Sequence, residues 1–192
     1  HIFCYKRDEA MKLATRCLPY GVLPYENLES TVRMVTKLFE KTPFIAILPK
    51  ISPEESLLLY SLDKIPGIKI NNKKITLKTT TNSYKTGLSK LDKAFNHPEM
   101  KNLEPYAFNG IFVEKYFNII KKFDSPNAII NLLGPFTVSQ LLRNAAEEQL
   151  VTDKNFRKLF IQGVCVKALW AIKKIQEYNP KTVPIIMLEE SA

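Results

Sequence analysis

The stretch Ala128-Ile129-Ile130-Asn131-Leu132-Leu133-Gly134-Pro135-Phe136-Thr137 decides how the chain is read. Its first six residues are almost continuously apolar, which suits a strand buried on both faces. Gly134-Pro135 stops that strand, since proline has no amide to give a ladder. Thr137 then stands near the start of a helix over 137–148, where it can cap the helix or donate to a ligand. Strand, Gly-Pro turn and helix together make one β/α unit.

The same pattern recurs on both sides. An apolar run at 44–48 lies between Pro43 and Pro49, and a further apolar run at 184–190 reads as a buried strand. A shorter one at 17–22 runs into the turn before Pro24. Between these come helical stretches. Leu28, Val32, Val35 and Phe39 recur on one face of 26–40, with Glu29, Arg33 and Lys37 on the other. Ser52-Pro53-Glu54-Glu55 reads as a capping box that opens a helix burying Leu57, Leu58 and Leu62. A short helix is expected at 89–96, an amphipathic one at 110–123, and a long one at 153–178 with Phe156, Leu159, Phe160, Gly163, Val166 and Trp170 on one face. Asn71-Asn72-Lys73 tolerates the left-handed turn of a β-hairpin between 67–70 and 74–77. Residues 79–83 read as a polar loop and 97–105 as irregular. No linker and no internal repeat interrupts the 192 residues, so a single α/β domain over 1–192 with a parallel sheet is expected.

Composition narrows the function classes. Hydrophobic residues make up 45% and charged ones 24%, enough for a sizeable core and incompatible with a disordered chain. The 28 Lys+Arg against 19 Asp+Glu give a net charge of +9. A basic chain invites a nucleic-acid partner, yet the lysines occur at most in pairs (Lys73-Lys74, Lys121-Lys122, Lys173-Lys174), and arginine, the usual reader of bases and phosphates, is scarce. Nucleic acid is therefore not expected as a partner. The longest apolar runs fall far short of a membrane span, and no basic region followed by an apolar one opens the sequence, so neither membrane nor secretory signal is expected. The three cysteines, Cys4, Cys17 and Cys165, lack CxxC spacing, which reads as a reduced, cytoplasmic chain. No GxSxG, Walker loop or GxGxxG occurs.

Five segments in order resemble the barrel of the cobalamin-independent methionine synthase family and its uroporphyrinogen decarboxylase-like relatives. Gly21-Val22-Leu23-Pro24-Tyr25-Glu26 is similar to the strand-end GS[FL]P motif. Pro43-Phe44 through Leu48-Pro49-Lys50, with Ser52 and Glu55, is similar to QLPKRS. Pro66-Gly67-Ile68 matches a hairpin, Leu133-Gly134-Pro135-Phe136-Thr137 is close to TGP[VI]T, and Ile185-Ile186-Met187-Leu188-Glu189-Glu190-Ser191-Ala192 is similar to IIxIDEPA. The resemblance implies the first half of a (β/α)8 barrel of TIM type, with strands at about 17–22, 44–48, 128–133 and 184–190 and an inserted β-hairpin.

The resemblance also implies a substrate site made of Gly21, Val22, Gly134, Thr137, Glu189 and Glu190. Gly21 lets backbone amides approach a carboxylate, although Val22 replaces the family's serine; a plain turn glycine is the alternative. Thr137 and the helix start would hold an anion, or Thr137 would simply cap. Glu189 and Glu190 stand where the family's carboxylates grip an ammonium group, with Ser191 in place of proline; solvated surface acids are the alternative. The family's zinc, which activates a thiol for methyl transfer, takes ligands from the second half of the barrel, so no metal site and no cofactor are expected within these residues. Two functions follow as expectations. One is a methionine-synthase-like protein that binds a small thiol or amino-acid-like substrate and acts as a zinc-dependent methyltransferase when the second half is present. The other is a non-catalytic half-barrel module that forms a homodimer or docks on a partner such as a second half-barrel.

Overall fold

The computed structural model describes residues 3–5, 16–18, 21–52, 56–71, 74–77, 79, 81–141 and 153–190. Two short strands, β1 (Phe3–Tyr5) and β2 (Arg16–Leu18), pair antiparallel. Helix α1 (Leu28–Phe39) begins where the Asn27 side chain accepts the Ser30 N–H at 3.1 Å. Helix α2 (Leu57–Leu62) is capped by Ser56, whose Oγ accepts the Leu59 N–H at 3.1 Å. The expected hairpin forms from β3 (Ile68–Asn71) and β4 (Lys74–Leu77), with Asn71, read as part of the turn, instead paired with Lys74 at the end of the ladder.

Helix α3 (Asn82–Asn96) is twice as long as expected. Thr81 caps it by accepting the Tyr84 N–H at 3.2 Å, so residues read as a polar loop are its first turn. The stretch expected to be irregular holds α4 (Met100–Leu103) and a 3-10 turn (Glu104–Tyr106). Helix α5 (Val113–Phe123) buries Tyr116, Phe117, Ile119 and Ile120 and ends on Asp124 at φ 46°. Strand β5 (Asn127–Leu133) leads into α6 (Pro135–Leu141), and α7 (Lys154–Tyr178) leads into β6 (Val183–Glu189). The Asp153 carboxylate opens α7 by accepting the N–H groups of Asn155 (2.7 Å) and Phe156 (3.3 Å).

The 25-residue α7 packs against α2, α3, α4 and α5. Phe108 and Phe117 meet Trp170 edge-on at ring separations of 5.4 and 5.8 Å. The other half of the core is β5, buried from Ala128 to Leu133, and the run from Phe44 to Leu48.

The expectation of a (β/α)8 barrel half is overturned. The described residues form three separate two-stranded sheets, β1–β2, β3–β4 and β5–β6, and only the last is parallel. The strand expected at 17–22 is instead β2, paired antiparallel with β1, while Val22 makes one parallel bridge to Ile47. The run 44–48 is buried throughout but forms no continuous ladder; Phe44 makes a single parallel bridge to Ile129. Apolarity between prolines reports burial, not hydrogen bonding, and a covered irregular segment satisfies it equally well. Pro43 and Lys41 still use their carbonyls, which accept the N–H groups of Ile129 (2.8 Å) and Asn127 (3.3 Å). The strand at 184–190 forms, but much of it is half-exposed: Val183 and Leu188 are 57% and 52% accessible. Pro53 and Glu55 of the expected capping box, the expected helix beyond Leu141, and Ser191 lie outside the described residues.

Candidate functional site

At the carboxyl end of the parallel pair, Leu133 lies in register with Glu189 and Asn131 with Met187. The Gly134 N–H donates to the Glu189 carbonyl at 2.8 Å, extending the pairing by one residue before α6 begins. The Glu190 side chain then turns back over the start of α6. Its Oε2 accepts the Thr137 N–H at 2.8 Å and its Oε1 the Phe136 N–H at 3.2 Å. The Thr137 hydroxyl donates to the Glu189 carbonyl at 3.0 Å and stands 3.3 Å from Glu190 Oε2. The carboxylate fills the space a Cβ on Gly134 would take, so glycine is needed there for a neighbour rather than for its own dihedrals.

Four of the six residues singled out from the sequence thus meet: Gly134, Thr137, Glu189 and Glu190. The anion expected at the start of the helix is supplied by the chain itself, in the form of Glu190. Gly21 and Val22 belong to a different neighbourhood. The Gly21 carbonyl accepts the Ile47 N–H at 2.7 Å and the Leu23 N–H donates to the Ile47 carbonyl at 3.0 Å, while the Val22 side chain is exposed.

Gly21 instead adjoins a residue that the sequence reading passed over. A Cβ at Gly21 would stand 3.2 Å from Nδ2 of Asn131 and 3.1 Å from the Ile45 carbonyl oxygen. Asn131 is 6% accessible, and neither its Oδ1 nor its Nδ2 has a hydrogen-bond partner among the described residues. Buried carboxamides are nearly always paired, and each orphaned group costs on the order of 1–3 kcal/mol. The available signal was a lone amide inside the apolar run 128–133.

The chain matches no protein-family model, no curated protein and no solved structure. The site therefore stands on its own residues. Among the described residues no three His, Cys, Asp or Glu side chains gather to hold a metal ion, and no helix is long and apolar enough to cross a membrane.

A second polar residue, Lys167 on α7, is fully buried. Its ammonium donates to the Tyr106 carbonyl at 3.5 Å and lies 5.4 Å from the centre of the Phe108 ring. Burial pushes its pKa down to about 8; Asp63 counters this and Lys64 adds to it. The sequence does not set Lys167 apart from the other lysines of α7, such as Lys158 and Lys173. A cavity of about 410 Å³ lies elsewhere, between β4, α3 and the start of α7, lined by Tyr84, Asp92, Asp153, Phe156 and Gln162 among others. None of the six site residues expected from the sequence borders it.

Proposed function

We propose that the chain binds a small amino-acid-like molecule beside Asn131 and Gly21, near the carboxyl end of β5. The observation that carries this reading is the Asn131 carboxamide, which has no hydrogen-bond partner among the described residues. One amide offers a donor in Nδ2 and an acceptor in Oδ1, which suits the carboxylate and ammonium of an amino acid. The glycine keeps a side chain from covering that amide. Apolar neighbours, Ile45 and Ile47, strengthen any hydrogen bond made there by excluding water. Glu189 lies two residues further along the pair, in register with Leu133, as an additional carboxylate for an ammonium group.

The experiment is a thermal-shift and calorimetric screen of amino acids and small thiols on the full chain and on Asn131→Leu. Saturable binding that Asn131→Leu abolishes supports the reading; binding unaffected by that substitution, or none across the panel, ends it. Methyl transfer to a bound thiol is the wider proposal from the motif resemblance. Its test is a thiol-methylation assay with zinc supplied, on the longest chain that carries these residues.

A second reading, a non-catalytic module that pairs with another copy, is favoured by β6. Val183 and Leu188 are exposed on it, and among the described residues it pairs on one edge only. Sedimentation of the full chain and of Leu188→Lys distinguishes the two: a dimer that this substitution dissociates supports assembly.

A further inference from the structure

The antiparallel ladder of β1 and β2 has three register pairs, and the central one is Cys4 opposite Cys17. Directly opposed residues of an antiparallel pair have Cα atoms about 4.5 or 5.5 Å apart, according to the hydrogen-bonding phase. Both separations fall within the roughly 4.4–6.8 Å span that a disulfide bridges. Opposed positions of an antiparallel ladder share one face of the sheet by the geometry of the pleat. The third cysteine differs. Cys165 is half-buried on α7, and burial pushes its thiol above the ordinary range.

We propose that Cys4 and Cys17 form a redox-active pair that closes a disulfide when a low-molecular-weight disulfide is present. The thiolate of one cysteine attacks a sulfur of glutathione disulfide, breaking its S–S bond and releasing one glutathione thiolate, which takes up a proton. The thiolate of the second cysteine attacks the cysteine sulfur of that mixed disulfide and expels the second glutathione. Two protein thiols are oxidised and one glutathione disulfide is reduced to two thiols, so protons and electrons balance. The bond closes the segment between β1 and β2 just ahead of Gly21 in the chain.

The test equilibrates the reduced full chain with mixtures of reduced and oxidised glutathione, quenches with acid, and maps disulfides by mass spectrometry after proteolysis. The expected result is a peptide pair joined through Cys4 and Cys17, with Cys165 still free. At a fixed glutathione ratio the link should form at least about tenfold more readily in the folded chain than in urea, because folding raises the effective concentration of one thiol at the other. Cys4→Ser should leave Cys17 as a lasting glutathione adduct. The proposal is overturned by separate adducts on both cysteines of the unmodified chain. It is equally overturned by a link to Cys165, by a link between two chains, or by equal yields with and without urea.

Discussion

The Glu190 carboxylate occupies the volume that a side chain on Gly134 would need, and from there it accepts the amide hydrogens of Phe136 and Thr137. Strand end, turn and helix start are therefore tied by one side chain. A residue of the final strand region caps the helix that follows the preceding strand.

Gly134→Ala should lower stability by about 1 kcal/mol, the size of a lost cap, because the flexible Glu190 side chain swings away from the new methyl group. Glu190→Ala alone should lower it by about 1 kcal/mol, as the loss of a helix cap does. In the double variant the alanine at 134 meets no carboxylate, so the two effects should fall well short of adding. Urea unfolding of the four chains measures the coupling; strict additivity would place the carboxylate elsewhere.

Asn131→Leu should raise the stability of the ligand-free chain by about 1–3 kcal/mol, because it replaces an unpaired buried amide with an apolar group of the same branching. Chemical denaturation without ligand checks it. A loss of stability would mean that the amide already has a partner.

These residues also show what a sequence can and cannot reveal. The β/α turn at Gly134–Thr137 was legible because glycine, proline and threonine each constrain the backbone by a local mechanism. The hairpin at 68–77 was legible for the same reason. The pairing of 44–48 was not: apolarity specifies that a segment is covered, while the partner strand is fixed by contacts distant in the chain. The start of α3 was missed because its first turn, Asn82-Ser83-Tyr84-Lys85, is polar on an exposed helix face and resembles a loop. The meeting of Glu189, Glu190, Gly134 and Thr137 at one strand end followed from placing their motifs at the ends of two strands. Asn131 was hidden by the apolar residues around it, and its meaning comes from the partners it lacks.

Tyr116→Phe should raise stability by about 1 kcal/mol. The Tyr116 side chain is fully buried, its hydroxyl has no partner among the described residues, and burial drives the phenol well above its ordinary pKa. Removing the oxygen deletes a desolvated polar atom and keeps the ring that packs on Phe117 at 5.1 Å. Thermal unfolding at neutral pH is the measurement, and a lower melting temperature contradicts the reading.

Lys167 predicts how stability depends on pH. Its ammonium is held among Tyr106, Phe108, Asp63 and Lys64 with a pKa of about 8, against 10.5 for an unburied lysine. Below pH 8 the folded and unfolded chains both carry the proton, and the folded chain bears the whole penalty of a buried charge. Between pH 8 and 10.5 the folded chain has released its proton and the unfolded chain has not. The unfolded state then binds more protons, so stability rises with pH across this window and gains no more from Lys167 above it. The span amounts to about 3 kcal/mol. Lys167→Met removes the titrating group, so the variant should be more stable than the parent at pH 7 by about 2 kcal/mol once the lost bond to the Tyr106 carbonyl is counted. That advantage should shrink as pH climbs past 8, which tyrosine ionisation common to both chains cannot produce. Parallel urea titrations at pH 7, 8, 9 and 10 give the difference directly; a constant difference would show that the lysine keeps its proton throughout.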